Sequence, residues 1–94
     1  MMVQARWNGA TIADSDETLV VEGNHYFPPG TIDWRLLETT NETSICPWKG
    51  TARYFTLSVN GALNPNAAWT YPNPTPEAAR IRGYVAFWRG VDIR

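Results

Sequence analysis

The clearest pattern of hydrophobic and polar positions runs from Thr51 to Val59. Phe55, Leu57 and Val59 alternate with Tyr54, Thr56 and Ser58, the period of two that puts one set of side chains on each side of a strand. Asn60-Gly61 follows, a dipeptide suited to a two-residue hairpin turn. Ala67 to Tyr71 reads as the returning strand, stopped by Pro72-Asn73-Pro74. The chain opens in the same way. Val3 to Trp7 is extended in character, Asn8-Gly9 turns it, and Ala10 to Ala13 returns. Asp14-Ser15-Asp16 forms a second turn, because short polar side chains satisfy nearby backbone groups, and the β-branched run from Thr18 to Glu22 makes a third strand. Thr43 to Cys46 is strand-like until Pro47. Tyr84 to Arg89 is a last strand, with Val85 and Phe87 on one face and Tyr84, Ala86 and Trp88 on the other.

Three segments break this pattern. Gly23 to Gly30 contains Pro28-Pro29, which removes ladder donors and fixes backbone angles, so it reads as a stiff loop or edge. Ile32, Leu36 and Leu37 fit one helical face, which predicts a short helix there. Thr75 looks like an N-cap with Pro76 at the first helical position, Glu77 favourable against the helix dipole and Gly83 able to end the turn. The expected fold is mainly β: small antiparallel sheets curled over one another as a barrel-like sandwich, with one or two short helices.

Composition narrows the function. Ninety-four residues make one domain, 1–94, and a domain this small relies on a few large side chains for its core. Five Trp, four Tyr and three Phe meet that need. The formal net charge of -1, with basic residues scattered singly, argues against nucleic acid as a partner. Only Arg80 and Arg82 fall close together, as expected of a solvated face. The one cysteine, Cys46, cannot form an internal disulfide or a thiol-rich zinc site, and no metal or cofactor is expected. No apolar run suits a membrane helix, and the first residues lack the apolar stretch of a secretory signal, so the expected compartment is the cytoplasm.

Two constellations carry candidate chemistry. In Cys46-Pro47-Trp48-Lys49-Gly50, Lys49 would favour the thiolate of Cys46, and His25, the single histidine, would serve as a base if the fold brought it near. Cys46, His25 and Lys49 are thus the catalytic candidates of a small enzyme. The plainer reading makes Cys46 a small buried apolar side chain. The second constellation is aromatic. Tyr26, Trp48, Trp69 and Tyr71 lie in proline-flanked segments that present rings at low ordering cost. Converging, they would wall a cleft with Lys49, Arg53 and His25 as polar anchors, suited to a planar, cyclic or anionic small molecule. The same rings would otherwise fill the core, or, if exposed, dock a protein. Glu22 and Asp33 flank the stiff loop and read as surface carboxylates, and Asp14 and Asp16 as turn residues.

Several stretches together carry a family resemblance: Trp7-Asn8-Gly9, Ala13-Asp14-Ser15, Tyr26-Phe27-Pro28-Pro29, Cys46-Pro47-Trp48-Lys49-Gly50, Ala67-Ala68-Trp69-Thr70-Tyr71-Pro72 and Gly83-Tyr84-Val85-Ala86-Phe87-Trp88. Over nearly its whole length the chain resembles domain-of-unknown-function family 427, which carries a nucleotidyltransferase-like label. The resemblance implies a compact β fold similar in topology to the β-tent domains of cereblon's ligand-binding region and methionine sulfoxide reductase B. Relatives of that kind hold zinc with four cysteines, which a chain with Cys46 alone cannot do. Nucleotidyl transfer, the activity the label suggests, needs clustered metal-binding carboxylates and a phosphate cradle, and the residue pattern supplies neither. The leading expectation is a small-molecule-binding module with an aromatic cleft. An enzyme built on Cys46 or His25 and a protein-interaction module are the alternatives.

Overall fold

Positive-φ turns organise the chain. In the computed structural model, which describes residues 2–94, Asn8 and Gly9 take φ of 51° and 80°, and Asn60 and Gly61 take 51° and 80°. That pair of values matches the right-handed twist of the flanking strands. The first turn joins β1 (Val3–Trp7) to β2 (Ala10–Ser15), and the second joins β6 (Gly50–Val59) to β7 (Ala62–Thr70). Glu22-Gly23 and Arg89-Gly90 adopt the same signs of φ. Glu22-Gly23 closes a hairpin between β3 (Leu19–Val21) and β4 (Asn24–Tyr26), and Arg89-Gly90 leads from β8 (Val85–Phe87) to β9 (Asp92–Ile93). The remaining strand, β5 (Leu37–Cys46), meets β6 through the turn Pro47–Lys49.

Strand makes up 57% of the structure and short helical turns 13%, so the mainly β expectation holds. The strands form three antiparallel sheets, in the orders β2-β1-β9, β3-β4 and β5-β6-β7-β8, and these do not close into a barrel. Two bridges tie them together. Phe27, just past β4, exchanges backbone hydrogen bonds of 2.8 and 3.0 Å with Val85 of β8. Ile32 bridges to Ala13, beside the bond that Asp33 N–H donates to the Ile12 carbonyl at 2.8 Å.

The structure revises the sequence expectations at several places: β2 continues through Asp14 and Ser15, which the sequence reads as a turn, and β9 follows the strand expected to be last. Of the loop or edge expected after Gly23, Asn24–Tyr26 is the edge, a strand of a two-stranded hairpin, because Glu22-Gly23 turns as tightly as Asn-Gly does. Both expected helices are 3-10 turns, over Trp34–Leu36 and Pro76–Ile81. In the first, Leu37 already has extended backbone and starts β5, so Thr43–Cys46 is the end of a longer strand. In the second, Thr75 makes no side-chain cap, and its hydroxyl donates to the Trp48 carbonyl. No described helix is long and apolar enough to cross a membrane.

Alternation along the strands divides the interior into two clusters on opposite faces of the β5–β8 sheet. One packs Phe27, Leu57, Ala68, Val85 and Phe87 against Ala5 and Ile12 of the three-stranded sheet. The other contains Tyr26, Ala52, Tyr71 and Ala86, covered by Val21 of the β3–β4 hairpin and by Ala78 and Ile81 of the last 3-10 turn.

Candidate functional site

The site grows from cross-strand register on the second face. Tyr54 of β6 lies opposite Trp69 of β7, which lies opposite Ala86 of β8. Side chains two apart share a face, so Tyr71 and Trp88 extend the row. Trp69 and Trp88 meet edge to face, with centroids 5.7 Å apart, and Tyr54 lies 6.4 Å from Trp88. Tyr26, fully buried, closes the floor: it meets Trp69 edge to face at 6.2 Å and accepts a 3.2 Å hydrogen bond from its indole N–H. The rims are pinned too. The Trp88 indole donates to the Asn66 carbonyl at 2.7 Å, and the Tyr54 hydroxyl pairs with Ser44 at 2.9 Å.

The β5–β6 turn delivers a charge to this wall. Gly50, at φ 112°, ends the turn; a Cβ there would sit 3.3 Å from the Asn73 carbonyl oxygen and 3.4 Å from Pro74 Cα. A glycine is therefore required both by backbone angle and by close approach. The approach lets the loop after β7 clasp the turn, with Thr75 N–H donating to the Lys49 carbonyl at 3.0 Å. Lys49 is thereby held with its side chain inward, only 7% exposed. Its ammonium lies 5.4 Å from the Trp48 ring and 5.5 Å from the Tyr71 ring, and it ion-pairs with Glu22. The Trp48 indole donates to the same carboxylate at 3.3 Å.

These contacts set the charge states. Burial is the largest influence on Lys49 and favours the neutral amine, yet the hydrogen bond to Glu22 and the neighbouring Tyr26 and Tyr71 together outweigh it and raise its pKa. Hydrogen bonds from Lys49 and then Trp48 hold Glu22 below its usual range. Burial pushes the Tyr71 phenol up. At neutral pH, the wall therefore carries an ammonium, a carboxylate at its outer edge and neutral Tyr71. A lysine held protonated is an anchor for acceptors and a poor nucleophile.

Lys49, Tyr54, Trp69, Tyr71 and Trp88 line a cleft of about 160 Å³. Of the residues singled out from sequence, Lys49, Trp69 and Tyr71 line it, Tyr26 floors it and Trp48 flanks Lys49. Arg53 does not join them. It borders a separate, larger hollow of about 600 Å³ with Thr51, Pro72 and Asn73, which has no aromatic wall. Cys46 is half-buried, free, and packed against the second cluster. His25 alternates with Tyr26 on β4, and its Nδ1 pairs with the Thr18 hydroxyl at 2.8 Å. Among the described residues, Cys46 and His25 share no hydrogen bond. Asp33 is engaged by Arg35 at 2.9 Å and Glu22 by Lys49. Sequence reading missed Tyr54, Trp88 and the role of Glu22. Tyr54 and Trp88 were legible as the faces opposite Phe55 and Phe87, whereas the Glu22–Lys49 pair spans 27 positions and leaves no local signal.

Among the described residues, no three His, Cys, Asp or Glu side chains are grouped to hold a metal ion. A comparison with curated proteins returned no match. Over residues 1–94, however, the sequence matches the family described as "Domain of unknown function (DUF427)", labelled NTP_transf_9, and the chain belongs to that family.

Proposed function

We propose that the protein is a binding module whose aromatic cleft takes a small molecule containing one planar ring. The observation that carries this reading is the convergence of Tyr54, Trp69, Tyr71 and Trp88 with one buried lysine on a single sheet face. Trp88, which lines the cleft, is 44% exposed, apolar surface that a ligand in the cleft would cover. The volume sets the scale. About 160 Å³ is roughly five water volumes, well under the ~300 Å³ at which pockets for drug-sized ligands begin, so one ring with a short substituent fits.

The test uses the five indole N–H signals of the protein in a two-dimensional NMR titration with single-ring planar fragments. Binding in the cleft moves the Trp69 and Trp88 signals together and leaves Trp7 and Trp34 unmoved. Shifts spread evenly over all five, or none with any fragment, would discard the reading.

A further inference from the structure

The polar chemistry of Lys49 narrows the ligand class, resting on the cleft reading above. An ammonium has three N–H donors. Among the described residues, Lys49 uses hydrogen bonding only toward Glu22, and its other neighbours at the charge are the faces of Trp48 and Tyr71 and, beyond hydrogen bonding, the Tyr26 phenol. Ring faces attract the charge but are weak hydrogen-bond acceptors. Glu22 keeps 52% of its side chain in water while that of Lys49 keeps 8%, so the carboxylate's pull is screened on its own side. The result is a nine-tenths buried cation at the margin of the cleft, with unused donors.

Four ring walls by themselves would favour a cation, since π faces carry negative potential. Lys49 reverses that preference. Its charge occupies the Tyr71 face, and a second cation would meet it at short range in a medium less screening than water. An anionic oxygen would gain charge-assisted hydrogen bonds from the unused N–H groups. Glu22, bonded to both Trp48 and Lys49, then becomes the group a ligand competes with.

We infer that the cleft selects planar ring acids, with the ring among Tyr54, Trp69, Tyr71 and Trp88 and the carboxylate on Lys49. Three probes of one shape and different charge test this: benzoate, benzyl alcohol and benzylamine, titrated at neutral pH and followed at the Trp69 and Trp88 indole signals. Benzoate is expected to bind about 10–100-fold more tightly than benzyl alcohol, the range for hydrogen bonds to charged groups, and benzylamine more weakly than either. Lys49→Met should erase the benzoate preference while keeping benzyl alcohol binding. Glu22→Gln should strengthen benzoate several-fold, because the competing carboxylate is gone, and this variant carries the test if Lys49→Met does not fold. Equal binding of the three probes would overturn the acid selectivity and leave the ring cleft standing. Binding by none would remove both.

Discussion

The two faces of the β5–β8 sheet are built from alternate residues of the same strands, yet they end in different states. On one face, Ile12, Phe27, Leu57 and Val85 are all wholly buried, and Phe27 meets Phe87 edge to face at 5.6 Å. That face is finished hydrocarbon. On the other, Tyr26, Tyr71 and Ala86 are buried, but Tyr54 and Trp69 are half-buried and Trp88 is exposed, and a lysine is enclosed among them. A small domain that needs every large side chain for stability would close both faces. Leaving one open concentrates stability on the first and adaptability on the second.

Four perturbations would break or sharpen that contrast. The largest effect belongs to the finished face: Phe27→Ala is expected to cost about 3–5 kcal/mol in denaturant unfolding, through lost transfer energy and an unfilled cavity. Next is the turn that carries Lys49. Gly50→Ala forces a Cβ against Asn73 at an unfavourable φ and should cost on the order of 1–3 kcal/mol, with the indole signals of Trp48 and Trp69 displaced. On the open face, Trp88→Ala should cost only about 1 kcal/mol, for a half-exposed ring pair and one hydrogen bond, while abolishing benzoate binding. A loss as large as that of Phe27→Ala would show that both faces are core. The smallest effect is electrostatic. Because Glu22 is depressed in the folded state, its contribution is present above the ordinary glutamate value of 4.5 and fades as pH falls below it. Lys49 and Tyr71 are raised, so theirs are present below their ordinary values of 10.5 and 10.0 and fade as pH climbs past them. Glu22→Gln should flatten the acid limb of a thermal-melting profile and leave the part of the alkaline limb due to Tyr71.

Much of this arrangement is legible in the chain, with instructive gaps. Asn8-Gly9 and Asn60-Gly61 announce their hairpins because asparagine and glycine tolerate left-handed backbone. Glu22-Gly23 makes the same turn without that signature, and β4 is lost from view with it. Trp69 and Tyr71 are two apart and share a wall, as the strand period requires. The same period separates Arg53 from Tyr54. Placing Arg53 in the ring cleft therefore conflicts with the strand it sits on, and Tyr54 was the residue that alternation pointed to. Period alone says which side chains share a face. Which face another element will cover depends on contacts far apart in sequence, such as Tyr26 beneath Trp69, 43 positions away.

Tyr26 and Phe27 are consecutive, and each anchors a different cluster. The backbone of Phe27 is also latched to Val85, the first residue of β8. A disturbance of either interior must therefore pull on the other through one rigid peptide unit. The amides of Phe27 and Val85 should exchange with solvent at the same slow rate, set by global opening, and an occupant of the ring cleft should slow both, although neither touches it.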